Sequence, residues 1–421
     1  MSRSLFFARQ PILDVHGQTY AYELLYRNSS NQGFSPIEDD RCATAQVLVN
    51  TLNFVDLKSI IGSAFAFVNI EETILLDEMV FSIPKEQFVL EILETVVITD
   101  EIINRVQELK ELGYRFALDD IDCSKEYIKN FQPLFKYIDI LKLDITLMDE
   151  AQLPRYLTLF KQFDLKVLAE KVETQEEFDK YRSLGCDLFQ GFFFARPDII
   201  ENKPLDPEQV LILNLIQKLQ KGEETDVICH IFEQNVALTL QLLRFINSAA
   251  FSFRASIKTI RQAIILLGPQ QLKSWLLLIS YANPASGPKG LSNPLLHLAQ
   301  TRSNMMQTLL QAHHKGKANG LLLDKAAFIG LLSLVEALFN TPIGDILQEL
   351  NIDKEITDVL INYSGELGEI FELVLAVERF DTDKVDELSA MLSMSHPEFS
   401  KAVEDAYEIT EQFITSIGIE A

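Results

Sequence analysis

The sequence predicts an α/β fold followed by an all-α one: a TIM-type barrel with one antiparallel strand over residues 1–202, then a helical bundle over residues 203–421. Three observations predict this. Short apolar runs in the first half alternate with helix-like segments, as fully buried parallel strands do. Each run delivers a carboxylate, amide or ammonium group at or near its C-terminal tip, which is the active face of such a barrel. Beyond residue 206 the periodicity is helical throughout. A chain of 421 residues also exceeds what one core usually supports.

The opening segment, LFFARQPILDVHGQTYAYELLYR, reads as two strands joined by a tight turn near Asp14 to Gly17. One barrel strand should therefore run against the others. In the polar loop that follows, Asp39 or Asp40 is placed to cap a helix beginning near Cys42. FAFVNI is the next strand, EETILLDEMVF a helix and FVLEILE a strand. Asp100 is expected to cap EIINRVQELKELG, and Gly113 to stop it. RFALDD, DILKLD and LKVLAE continue the strands, with crossover helices over 125–137 and 153–163. Thr174 and Glu177 form a capping box for the helix ending at Leu184, and LFQGFFF closes the barrel. Pro197, Pro204 and Pro207 punctuate the connection to helical segments such as PEQVLILNLIQKLQKG, ALTLQLLRFINSAAF and KAAFIGLLSLVEALF.

Acids outnumber bases, 61 to 37, for a formal charge of −24. That argues against broad binding to a nucleic-acid backbone, so no DNA partner is expected. The four cysteines, Cys42, Cys123, Cys186 and Cys229, show no zinc spacing and read as reduced thiols. No run looks long enough for a membrane span, and the N-terminus has no cleavable signal pattern. The expectation is a cytoplasmic protein.

Buried acids are costly unless paired or bound to a metal. Glu23, Asn69, Glu91 and Asp119 are oxygen donors at four strand ends, suited to Mg2+ or Mn2+. Adjacent Asp119 and Asp120 could bridge two ions and activate water against a phosphodiester. Lys142 could orient that water or stabilise phosphate charge, and Glu170 is the best placed general base. Arg9 and Arg27 are candidates for phosphate contacts.

These residues carry a family resemblance. YELLYR, FVNI, LEILE, LDDID, LKLD, AEKVET and FQGFFFARP fall in order over residues 5–198, and the segment resembles the EAL domains of bacterial cyclic di-GMP phosphodiesterases. The resemblance implies that Glu23, Asn69, Glu91, Asp119 and Asp120 hold metal, Lys142 positions water and Glu170 is the base. It implies that Arg27 binds substrate phosphate, with Gln190 on the substrate side, that Glu94 anchors a loop and that Glu173 supports the site. Three departures from the family pattern stand out. Leu24 replaces an alanine, Lys171 a glycine, and DDIDCS stands for D-D-F-G-x-G, with Ile121 and Asp122 in place of Phe-Gly.

The second half, through LLRFINSAAFSF, SIKTIRQAIILLGPQQLKSWLLL and AAFIGLLSLVEALF, resembles an HDOD domain, an HD-like bundle without the hydrolase ligands. Ser333 and Leu334 stand where an HD hydrolase would have its His-Asp pair. His313 and His314 read as a solvated surface pair, and Phe251, Phe253 and Trp275 as core. Two functions follow. One is an enzyme that hydrolyses cyclic di-GMP to pGpG with Mg2+ or Mn2+. The other is a non-catalytic adaptor that binds the nucleotide or only proteins. Either would bind an unidentified protein through the helical half, and a homodimer is compatible with both.

Overall fold

The structure is a computed structural model whose described residues are 5–28, 60–62, 64–121, 124–148, 152–195, 207–246, 257, 259–282 and 293–417. It divides into two compact units, Met1–Arg196 and Pro197–Ala421. The boundary expected near residue 203, the helix near Cys42, Asp122, Cys123, Phe251, Phe253 and the Arg27 side chain lie outside the described residues.

In the first unit eight strands close a barrel in chain order. β1 (Leu5–Asp14) is antiparallel to both β2 (Thr19–Asn28) and β8 (Leu188–Gln190), as the hairpin reading requires. The hairpin turns because Asp14 Oδ1 accepts the N–H groups of His16 and Gln18, at 2.8 and 2.9 Å, while Gly17 takes φ 73°. β3 (Phe65–Ile70), β4 (Phe88–Ile92), β5 (Arg115–Ile121), β6 (Ile140–Asp144) and β7 (Lys166–Glu170) run parallel to β2.

One side chain from each strand fills the barrel with an apolar layer: Ile12, Ala21, Phe67, Val89, Ala117, Ile140, Leu168 and Leu188. Strand side chains alternate between faces. The next inward position toward the C-terminal rim is therefore two residues on, and it reads Glu23, Asn69, Glu91, Asp119, Lys142, Glu170 and Gln190. β1 runs the other way, so its matching position is Gln10, two residues before Ile12. The polar site is a second layer resting on an apolar floor.

Most of the expected helices appear, with local corrections. The cap of the helix Asp100–Glu111 is Thr99, not Asp100. Thr99 has the extended backbone of a cap, and its Oγ1 accepts the Ile102 N–H at 3.3 Å. The Thr174–Glu177 capping box forms as expected. The two crossovers are shorter than expected, Lys125–Phe131 followed by a 3₁₀ turn, and Leu153–Lys161.

The second unit is helical. Trp275 lies in its core between Phe232 and Phe245. The helix Ile260–Ala282 corrects the sequence reading, because by length and composition it is apolar enough to cross a membrane. It is broken at Gly268 (φ 70°, ψ 170°) and Pro269, and Leu272, Trp275, Leu276 and Tyr281 are buried within the unit. The helix Pro294–His313 went unread because its buried positions include Gln300, Thr301, Arg302, Ser303 and Asn304, which hide the apolar period. Ser333 donates to Gly330 O at 2.7 Å and accepts from Arg302, whose guanidinium grips Glu378 with two bonds of 2.8 Å. A buried ion pair thus borders the position where an HD hydrolase would hold metal.

Candidate active site

The barrel register brings six of the predicted residues into one cluster at the C-terminal rim. Lys142 Nζ lies 2.8 Å from Glu91 Oε1, 2.8 Å from Asp119 Oδ1, 3.0 Å from Glu170 Oε1 and 3.5 Å from Glu23 Oε1. Gln190 Nε2 closes the ring, donating to Glu23 Oε2 at 2.5 Å and to Gln10 Oε1 at 2.9 Å. Gln10 was missed in the sequence. Its signal was there in the alternation of β1, but the reversed strand puts the site residue before, not after, the apolar layer.

Among the described residues four carboxylates share one ammonium, so this cluster is short of positive charge. Burial alone would lower the Lys142 pKa, yet Glu23, Glu91, Glu170 and Asp119 together push it well above its ordinary value. Burial raises Glu91 well above the usual carboxylate range, and Glu23 and Asp119 add to this against the pull of Lys142. Burial also lifts Glu170 to about 7, opposed by Lys142 and reinforced by Asp119 and Glu23.

The donor set fits a divalent cation. Lys142 pairs with Glu91 by charge at 2.8 Å, and among the described residues neither buried Glu91 oxygen accepts a hydrogen bond of good geometry. Asn69 Oδ1 and Gln190 Oε1 are buried and unbonded in the same layer. Orphaned buried acceptors are rare because they forfeit their hydration. These are all oxygen atoms, the donors preferred by Mg2+ and Mn2+.

Asp119 also belongs to a second group. Its carboxylate and those of Glu94 and Asp120 have ligand atoms within 4.8 Å of one another. Glu94, expected only as a loop anchor, therefore stands as a candidate ligand beside Asp120. β5 bulges here, its pairing with β6 shifting register between Leu118 and Ile121, and Asp120 takes the left-handed φ 45°. Burial, then Asp119 and Glu94, raise the Asp120 pKa, while Lys171 and Lys142 oppose them. Ile121 is part of β5, fully buried and paired with Leu143, so the altered DDIDCS segment begins as strand.

Lys171 holds the left-handed backbone (φ 60°) that glycine would adopt most readily, and its ammonium pairs with buried Asp144. Burial disfavours the Asp144 charge, but Lys171 and the Thr146 hydroxyl and amide more than compensate and hold its pKa down. Arg9 is buried with its guanidinium 4.5 Å from the Tyr22 ring centroid. Glu173 is half-buried beyond β7, its N–H donating to Glu177 at 2.7 Å.

Comparison with known proteins defines the class. A family model of the EAL domain matches residues 2–197 and one of the HDOD domain matches residues 207–340. The chain belongs to the family of proteins that join an EAL domain to an HDOD domain. It is similar to the uncharacterized protein YuxH of Bacillus subtilis, 30% identical over 407 residues, covering 96% of each chain. It is also similar to the cyclic di-GMP phosphodiesterase CdgJ of Vibrio cholerae, 32% identical over 387 residues, covering 91% of this chain and 87% of the relative. Among solved structures, a standalone EAL protein of Vibrio cholerae in its c-di-GMP-bound form is 23% identical. It covers 49% of this chain and 98% of its own, with a TM-score of 0.38.

Proposed function

We propose that this chain is a cyclic di-GMP phosphodiesterase that releases linear pGpG, dependent on Mg2+ or Mn2+. The observation that carries the reading is the layer of buried, unbonded oxygens of Asn69 and Glu91 around Lys142 at the barrel rim. The likeness to CdgJ over nearly the whole chain supports the substrate.

Glu23, Asn69, Glu91, Asp119 and Asp120 would hold the cation, and Glu94 would join Asp119 and Asp120 at a second position. A cation held there would polarise the phosphodiester and make bound water more acidic. Glu170 would accept the proton of the attacking water as its oxygen bonds to phosphorus and the bond to the 3′ oxygen breaks, that oxygen taking a proton from solvent. Burial raises the Glu170 pKa above the usual carboxylate range, which favours proton uptake. Lys142 holds its proton, fixes Glu170 and Asp119, and stabilises charge growing on the phosphate. Gln190 fixes Glu23 from the side. Arg27 takes a phosphate of the substrate.

We place the domain junction near residue 203 and assign to the helical half the binding of a protein partner. The adaptor reading has one observation in its favour. Ile121 is buried in β5 and paired with Leu143, so the altered segment begins as strand.

The test is to incubate full-length protein with cyclic di-GMP and Mn2+ or Mg2+, and to look for pGpG by chromatography beside Glu23→Ala. Product from the parent and none from the variant is the expected result. Nucleotide binding without product would establish the adaptor. Equal rates in the two proteins would sink the site assignment.

A further inference from the structure

The helical unit contains a second cluster of metal-ligating side chains, unlike the first in chemistry. His313 and His314 end the helix Pro294–His313, and Glu366 lies in the first turn of the helix Gly365–Glu378. The sequence suggested two solvated rings. The structure instead turns both inward, each about one-third exposed or less, onto a single carboxylate oxygen. His313 Nε2 is 3.0 Å and His314 Nε2 2.9 Å from Glu366 Oε1. The rings stand at 84° to each other, so their nitrogens converge on that oxygen from different directions.

The other nitrogen of His313 constrains what can lie between them. Nδ1 is 2.7 Å from Leu392 O, and a carbonyl only accepts, so Nδ1 carries a proton. In a neutral ring, Nε2 then presents a lone pair to the Glu366 oxygen. Two lone pairs at 3.0 Å repel unless a cation sits between or beside them, either a second proton or a metal. Histidines that ligate metals usually have the far N–H fixed by a carbonyl or carboxylate in this way. The helix C-terminus adds partial negative charge at the same place. The adjacent cation, Lys315, is engaged elsewhere, by Glu398 at 2.9 Å and Ser393 O at 3.2 Å.

We propose that His313, His314 and Glu366 form a binding site for Zn2+ or a similar late divalent transition metal. Two imidazoles and one carboxylate suit Zn2+ and do not suit Mg2+. Tetrahedral ligation at roughly 2.0–2.1 Å sets ligand atoms about 3.3–3.4 Å apart, so the observed pairs need to open by only a few tenths of an ångström. The partly exposed fourth position is left to water. The site clamps the ends of two helices and, through His313, the Leu392 segment. It is separate from the all-oxygen site of the barrel and is structural or regulatory in effect.

The experiment uses the full chain, stripped of metal by chelation and then kept in millimolar Mg2+ so that oxygen-ligand sites are served. Zn2+ is titrated against a chromophoric chelator, and Co2+ is used as an optical probe. The parent should take one Zn2+ against excess Mg2+ and show the strong visible absorption of four-coordinate Co2+. Glu366→Gln and His314→Gln should each weaken Zn2+ by at least about tenfold, with helix content by circular dichroism unchanged. Glu23→Ala should leave this affinity as it is. Failure of the parent to bind Zn2+ in Mg2+ overturns the proposal and leaves a protonated histidine pair. So does parental affinity in both variants. If Glu366→Gln unfolds, His314→Gln alone decides.

Discussion

Lys142 Nζ stands 2.8 Å from Glu91 Oε1, with both side chains sealed from solvent. The distance is that of an ion pair, but the Glu91 oxygens remain without a hydrogen bond. One ammonium among four acids holds the barrel rim together without satisfying it, and that shortfall gives the site its appetite for a cation.

Lys142→Met should destabilise metal-free protein strongly. The change strands Glu91 with no nearby cation, a loss of about 3–5 kcal/mol for a broken buried pair. Urea denaturation should show the drop, and saturating Mn2+ should restore most of it. An unchanged midpoint without metal would mean that the carboxylates are already neutral.

Metal-free protein should lose stability as pH rises. Glu170 is raised from 4.5 to about 7 in the fold, so between those values the native state holds a proton that the unfolded chain has released. Stability therefore falls through that window, by roughly 3 kcal/mol for this group alone. Denaturation at about pH 5 and about pH 8, with and without Mg2+, checks the sign. The metal should flatten the slope, because it replaces the missing positive charge.

Ile121→Phe restores the residue type of the family pattern but should not restore an ordinary loop. Ile121 is fully buried and paired with Leu143, so the larger ring must displace neighbours, at about 1–3 kcal/mol. A lower melting temperature is expected. A variant as stable as the parent would show that the segment can leave the strand.

Gly191→Ala should be severely disruptive. A Cβ at Gly191 would stand 1.9 Å from Val172 O, just beyond the ends of β8 and β7. Because the obstruction is backbone, a loss of about 3 kcal/mol or more is expected, together with loss of pGpG formation as Gln190 shifts. Thermal melts and product chromatography would read both.

Glu398→Gln should lower stability at neutral pH but not in strong acid. The Ser395 hydroxyl and N–H, then Lys315, hold the Glu398 carboxylate at about 2. A depressed acid contributes stability above its unfolded pKa and loses it as pH falls toward the folded one. The gap between parent and variant should close near that pH, and a gap independent of pH would contradict the pairing.

The sequence by itself determined the barrel, its reversed first strand and most of the polar side chains that gather at its rim. Apolar runs of strand length leave few alternatives, and a polar or charged group at each run's tip has no cheaper place to be than the rim. The hairpin was legible because Asp14 and Gly17 dictate a turn locally. Tertiary structure alone decided the rest. The two-residue step from the apolar layer to the polar one depends on how eight strands align, and it brought in Gln10, which belongs to a strand running backwards. It moved Glu94 next to Asp120 and seated Ile121 in β5. It hid the helix Pro294–His313, whose buried face is too polar to announce itself. It also gathered His313, His314 and Glu366, because adjacency in sequence says nothing about a carboxylate supplied from a helix more than fifty residues away.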